Sequence, residues 1–279
     1  MVNEQSLIRL LSLALEEDIG DSDITSESTI PNDLNLRGSI FAKAEGVFAG
    51  FEVLRFFYVH FFPDVQLNAF MKDGDRVASR QKIAEIRGPG RTVLSTERLA
   101  LNILQRMSGI ATETRRYVDR IQGTRAVLLD TRKTAPGLRI LDKMAVRLGG
   151  GTNHRQGLFD SYLIKENHIE ASGSLTEAVR RVHAGNRKKR MIEVEVRSLP
   201  EFREALGLRV DRILLDNMSI DEMKRAVREA AGKIQLEASG NISLENIRQV
   251  AETGVDFISV GSLTHSVRAL DLSLIIEKS

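Results

Sequence analysis

The sequence predicts an α/β protein: a parallel β/α barrel short of the usual eight strands, preceded by an α+β module. Three observations predict it. From about residue 125 onward, short apolar runs alternate with amphipathic segments, and parallel neighbours need such long crossovers. The residues that end five of those runs, Lys165, Glu195, Asp216, Ser239 and Gly261, lie 30, 21, 23 and 22 positions apart, one β/α unit per step. Before residue 125 the elements follow no such period. A leucine-rich solenoid has a similar period but needs a repeated Leu/Asn consensus, which is missing.

The elements follow in order. Leu7, Leu10, Leu11, Ala14 and Leu15 recur at helical spacing and predict an amphipathic opening helix. Residues 36–45 read as a strand and 51–62 as a helix. Residues 65–70 and 82–87 read as strands, with a turn at Lys72-Asp-Gly-Asp75. One long helix is predicted over residues 92–121, with Gly109 expected to break or kink it, since glycine costs ~1 kcal/mol in a helix interior. Six strands are then predicted at 126–130, 162–165, 191–196, 212–216, 234–239 and 257–261. Helices are predicted at 138–148, 175–183, 199–206, 220–231 and 244–253.

The chain has 279 residues with 40 Lys plus Arg against 38 Asp plus Glu, a net charge of +2 that argues against a protein coating nucleic acid. The absence of cysteine excludes a disulfide scaffold, a thiolate zinc site and a cysteine nucleophile. Aromatics at 5% with no Trp make a base-stacking platform a poor fit. The most apolar stretch, residues 51–62, is interrupted by Glu52, Arg55 and His60, and Met1–Leu7 lacks the basic start of an export signal. A cytoplasmic protein is expected.

Each predicted strand ends in something polar or small: Asp130-Thr-Arg-Lys133, Lys165-Glu-Asn167, Glu195, Asp216-Asn217, Ser239-Gly240-Asn241 and Gly261-Ser262. In a β/α barrel the C-terminal strand ends converge on one face, so these groups are expected to ring one pocket. Between Thr131 and His168 there are seven cations and three acids, so this stretch carries +4 and the rest of the chain −2. Arg139, Lys143 and Arg147 repeat every four residues and are expected on a solvated helix face. Arg132, Lys133, Arg155 and Lys165 fall in loops or strand ends and predict an anionic ligand. Glu195 and Asp216, one β/α unit apart, suit a general acid and base, or a site for metal and sugar hydroxyls. The last two strand ends expose backbone in the manner of barrel phosphate sites. There is no G-x-x-x-x-G-K-[ST], H-E-x-x-H or G-x-S-x-G. An EF-hand begun at Asp21 fails, with Ser26 at its sixth position and Asn32 at its twelfth. His168 and His183 are expected to be structural or surface residues.

These residues resemble the quinolinate phosphoribosyltransferase family nearly end to end. The likeness runs through Ala14-Leu-Glu-Glu-Asp-Ile-Gly-Asp-Ser-Asp-Ile-Thr25, Glu97-Arg-Leu-Ala-Leu-Asn102 and Ser108-Gly-Ile-Ala-Thr112. It continues in Thr131-Arg-Lys-Thr-Ala-Pro-Gly-Leu-Arg139, Gly149-Gly-Gly-Thr-Asn-His-Arg155 and Leu163-Ile-Lys-Glu-Asn-His168. Glu193-Val-Glu195, Leu215-Asp-Asn217, Ser239-Gly-Asn241 and Val260-Gly-Ser262 complete it. Met144 and Ser262 depart from the commoner aromatic and alanine.

The resemblance implies an N-terminal α/β sandwich domain over 1–112 and an incomplete, six- to seven-stranded barrel over 113–279, with the tail 270–279 free to pack back on the first domain. It implies a homodimer with shared sites, assembled as a dimer or further to a hexamer. It implies Mg²⁺, and transfer of phosphoribosyl from 5-phosphoribosyl 1-pyrophosphate to quinolinate with loss of CO₂. By family match Arg132, Arg155 and Lys165, with Thr131 and His154 near, grip quinolinate, and Arg98 reaches in from the second subunit. Lys133 meets the departing pyrophosphate. Glu195 and Asp216 hold ribose hydroxyls or the metal, directly or through water, and Ser239, Gly240, Asn241, Val260, Gly261 and Ser262 cradle phosphate. Lys133, Lys165, Glu195 and Asp216 are the implied catalytic residues. A relative with another acceptor, a Schiff-base aldolase using Lys165 and a non-enzymatic binding paralogue are the rival readings.

Overall fold

The computed structural model describes residues 4–277, so Met1–Asn3 of the opening segment and Lys278–Ser279 of the tail lie outside the described residues. The chain forms two compact units. The first contains residues 1–115, 134–150 and 263–279, and the second residues 116–133 and 151–262. The division is not one cut in the chain.

In the first unit the opening helix Glu4–Ile19 buries Leu7 and Leu11. The acid-rich stretch after it has a local role that a calcium reading would miss. Asp23 caps the short helix Ile24–Thr29, its carboxylate accepting from the Thr25 and Ser26 amides. An antiparallel sheet runs in the order Leu272–Glu277, Asn35–Ala42, Lys82–Pro89, Gln66–Ala69. Helices Phe51–Phe61 and Gly90–Arg120 pack on it. Leu54, Tyr58, Ala100 and Leu101 close on Ile40, Ile86 and Leu274 around a void of only about 10 Å³.

Two expectations about this unit are corrected. The long helix runs unbroken through Gly109. A Cβ there would strike the Arg268 carbonyl and the Ala269 backbone, so the glycine admits a neighbouring chain rather than ending the helix. Helix Arg139–Leu148 belongs to this unit, and its cations are not all solvated. Arg147 is exposed and Arg139 half-buried, but Lys143 is 2% exposed beside a fully buried Asp142. Asp142 is held in a two-point pair by Arg106, at 2.8 and 2.9 Å. Helical periodicity turned Lys143 inward with Val146, and a four-residue spacing of charges did not report that.

The second unit is a parallel sheet in the order Val127–Leu129, Phe257–Ser259, Gln235–Ser239, Arg212–Asp216, Ile192–Val196, Tyr162–Ile164. A further parallel bridge, Leu129 to Thr152, adds a seventh position beside Val127–Leu129. This is the incomplete β/α barrel the strand spacing predicts. Its crossover helices Leu175–Gly185, Leu199–Leu206 and Ile220–Ala230 begin alike. Ser174, Ser198 and Ser219 each accept from the amide of the glutamate three residues on, Glu177, Glu201 and Glu222. The caps fix where each helix starts, and so how far each strand end projects. The short helix Glu166–Ser172, absent from the expected elements, starts at Lys165, whose amide donates to His168 Nδ1 at 3.0 Å. His168 is thereby structural.

Candidate active site

The strands of the second unit bring most of the sequence-predicted groups to one region. Asp130, fully buried at the end of Val127–Leu129, organises the segment beside it. Its carboxylate accepts from the His154 amide at 2.8 Å and the Asn153 side chain at 2.6 Å. That anchor sets the start of the Asn153–Arg155 turn. Arg155 is half-buried and donates to the Ser161 carbonyl at 3.1 Å. Burial, and next the positive charge of Arg132, push its guanidinium below the ordinary arginine range. The carboxylates of Glu193 and Asp160 act the other way, favouring its charge. An open cavity of about 410 Å³ is lined by His154, Arg155 and Arg212, with the acid Asp160 and the apolar Met191 among its other walls.

His154 lines the same cavity as Arg155. Its Nδ1 accepts the Arg155 amide at 2.7 Å, so the neutral ring carries its proton on Nε2. That N–H faces two buried carboxylates, 3.1 Å from Glu193 and 3.5 Å from Glu237. Both nitrogens have partners inside the protein, and through Nδ1 His154 orients the turn. Arg212 completes the cluster, 2.8 Å from Glu237 and stacked 3.9 Å over the Phe257 ring. Burial raises the carboxyls of Glu193 and Glu237, and Glu193 adds to the rise of Glu237, to about 7. The three residues His154, Glu193 and Glu237 have the spacing of a metal triad. A ring protonated on Nε2 cannot ligate there, and Arg212 already supplies positive charge.

Around the strand ends, Lys165 forms an ion pair with Glu195, a buried carboxylate. Asp216 lies 3.6 Å from Arg197 and accepts from Asn217 at 2.9 Å. Arg197 also pairs with Glu166. Burial works against its charge, and the carboxylates of Glu166, Asp216 and Glu195 outweigh it, raising the guanidinium. Thr131 accepts from the Lys133 amide at 3.0 Å, and the Lys133 side chain is exposed.

Ser239, Gly240 and Asn241 follow the neighbouring strand. Val260 offers less than expected, because its N–H is committed to the Leu129 carbonyl at 3.0 Å. Ser262 Oγ, by contrast, is buried without a hydrogen-bond partner. An orphaned hydroxyl of this kind suits an incoming acceptor such as phosphate oxygen. Arg98 is exposed on helix Gly90–Arg120, in the first unit.

Reasoning from the chain missed Asp130 as an anchor, and Glu193, Arg212, Glu237 and Arg197 as charges of the site. Three of these were detectable. Glu193, Arg212 and Glu237 interrupt strands that otherwise read as continuous apolar runs, the wrong residue type for a two-face-buried strand. Arg197 left no such trace, lying in a loop.

The class of protein follows: a β/α barrel whose strand-end face collects cations and carboxylates for a small anionic ligand. Residues 23–108 match the quinolinate phosphoribosyl transferase N-terminal domain, and residues 110–275 match its C-terminal domain. A probable nicotinate-nucleotide pyrophosphorylase [carboxylating] of Bacillus subtilis is 42% identical over 273 residues, covering 98% of this chain and 94% of that protein. The chloroplastic nicotinate-nucleotide pyrophosphorylase [carboxylating] of Arabidopsis thaliana is 42% identical, covering 96% of this chain and 82% of that protein. The solved nicotinate-nucleotide pyrophosphorylase of Francisella tularensis superposes with a TM-score of 0.92 at 39% identity, over 99% of this chain and 98% of that one. The chain belongs to the quinolinate phosphoribosyltransferase family. Among the described residues no helix is long and apolar enough to cross a membrane.

Proposed function

We propose that this chain transfers phosphoribosyl from 5-phosphoribosyl 1-pyrophosphate to quinolinate with decarboxylation, giving nicotinate mononucleotide, pyrophosphate and CO₂ in de novo NAD biosynthesis. The observation that carries it is the match of residues 23–108 and 110–275 to the two domains of the family, with Arg132 and Arg155 standing where the resemblance puts the quinolinate cations. Lys165, at the end of the strand Tyr162–Ile164, is the third cation that the resemblance assigns to quinolinate. The quinolinate nitrogen needs no base, since its lone pair is free. It attacks C1 of the ribose, the bond from C1 to the pyrophosphate oxygen breaks, and the electron pair leaves with pyrophosphate. The ring nitrogen is then cationic. The C2–carboxylate bond breaks to release CO₂, and the carbanion left beside N⁺ takes a proton from water. Holding two polyanions in line is the protein's main task.

Lys133 meets the departing pyrophosphate. Glu195 and Asp216 hold ribose hydroxyls, while Ser239–Asn241 and the Gly261–Ser262 segment receive phosphate. Mg²⁺, when bound, neutralises charge on the pyrophosphate. Glu195 and Asp216 fit it as hard oxygen donors, and since Lys165 and Arg197 already pair with them, contact through water suits them best. The protein acts in the cytoplasm as a homodimer, alone or within a hexamer, with Arg98 of one copy completing the site of the other.

Quinolinate and nicotinate offered side by side test the substrate. Quinolinate is consumed with equal yields of pyrophosphate and CO₂, and nicotinate turns over at least about a hundredfold more slowly, having one carboxylate for a site built for two. Comparable turnover of nicotinate overturns the assignment. The shared site has its own test. Arg98→Ala and Lys165→Ala, each inactive alone, regain roughly a quarter of wild-type sites when subunits exchange at random in a two-fold dimer. No recovery after demonstrated exchange removes Arg98 from the second copy's site.

A further inference from the structure

Asp216 and the loop Ser239–Asn241 stand at neighbouring strand ends, and one side chain touches both. Asn217 donates through Nδ2 to Asp216 at 2.9 Å and accepts through Oδ1 from Asn241 Nδ2 at 3.0 Å. Its own amide donates to the Ser239 carbonyl at 2.8 Å. Asn241 is held in turn, its carbonyl accepting from Asn246 at 2.9 Å, while Asn246 also accepts the Ser243 amide at 2.9 Å. Every polar group of the Asn217 side chain and backbone N–H is thus spent on tying two loops together.

The backbone carries the same message. Asn217 and Asn241 both adopt left-handed conformations, φ 55° and 51°, that cost a side-chain-bearing residue energy. Glycine at either would relieve the cost, yet the carboxamides are retained. Gly240, at φ 95°, lies so close to Asn217 that a Cβ would fall on its carboxamide. The glycine of Ser239-Gly-Asn241 is therefore required by Asn217 as well as by any ligand.

We propose that Asn217 is a positioning residue that locks the Asp216 carboxylate to the phosphate loop Ser239–Asn241, so that ribose and 5-phosphate of the donor are received by one rigid piece. This rests on the phosphoribosyl-transfer reading. Asn217 acts through Asp216 and Asn241, and its loss loosens the donor site while leaving the quinolinate cations, on other strands, in place.

The test is Asn217→Gly, which removes the clasp and relieves the left-handed backbone together. Donor affinity is measured by titration calorimetry with 5-phosphoribosyl 1-pyrophosphate, and KM for each substrate by steady-state kinetics. Supporting-residue losses of this kind run about 10- to 100-fold. The donor Kd and KM rise by that amount, the quinolinate KM stays within about twofold, and the melting temperature does not fall. Asn217→Asp is the second variant. It keeps the acceptor for Asn241 but sets a like charge beside Asp216, and it too weakens the donor selectively. In a double-mutant cycle, Asn217→Gly with Asn241→Ala is no weaker for the donor than the worse single variant. Unchanged donor affinity in the glycine variant, an equal rise in quinolinate KM, or additive losses in the cycle each overturn the clasp. Wild-type protein that neither binds nor uses the donor overturns the functional reading itself, a separate outcome.

Discussion

Arg155→Met lowers kcat/KM for quinolinate by about three orders of magnitude and leaves the melting temperature unchanged or raised. The two halves of this expectation have one cause. Arg155 is a partly buried cation next to Arg132, and both burial and that neighbour work against its charge. In the empty protein burial and Arg132 outweigh the Glu193 and Asp160 carboxylates that favour its charge, and the side chain is held by its bond to the Ser161 carbonyl. Methionine keeps an unbranched apolar stem while removing the guanidinium and the repulsion. In the complex the balance reverses. A carboxylate brought between the two guanidiniums loses water, and removing one partner of a buried charge pair costs about 3–5 kcal/mol. Near 4 kcal/mol this is about a thousandfold. The KM for 5-phosphoribosyl 1-pyrophosphate moves far less, and nicotinate, with one carboxylate, loses less than quinolinate does. A loss below tenfold, or a loss accompanied by unfolding, would show that Arg155 serves the turn rather than the ligand.

What could be read from the chain divides along a physical line. Strand spacing gave the barrel because a β/α unit has a nearly fixed length, and strand ends such as Glu195 and Asp216 were legible because barrel geometry sends them to one face. Contacts set by side-chain direction were not. Lys143 looked solvated by its spacing from Arg139 and Arg147, yet the helix turns it inward. Gly109 looked like a breaker, and only the approach of residues 268–269 explains it. The orientation of His154 depends on the Arg155 amide reaching Nδ1, a bond between adjacent residues that no residue type announces. Val260 sits in the expected loop, yet its amide is consumed by a strand far away in sequence.

Glu237→Gln removes a pH dependence of stability that the wild-type protein carries between about pH 4.5 and pH 7. Burial is the main reason the Glu237 carboxyl is raised, and Glu193 is the second; His154, Ser259 and Arg212 oppose them. The folded protein holds this carboxyl at about 7 against 4.5 for the free group. The native state therefore binds the proton more tightly than the unfolded chain does. Below pH 4.5 both states are protonated and the group costs nothing. As pH rises through the window the unfolded chain ionises first, and native stability falls until the folded carboxyl also ionises near pH 7. That difference corresponds to about 3 kcal/mol. Glutamine mimics the protonated carboxyl, still accepts from Arg212, and has nothing to ionise. Denaturant titrations at pH 5 and pH 8 show the wild type losing about 2–3 kcal/mol more than the variant between the two. The variant is accordingly the more stable protein at pH 8, with His154 still facing Glu193. Parallel pH profiles for the two proteins would mean that Glu237 is ionised throughout, its charge carried by Arg212 alone.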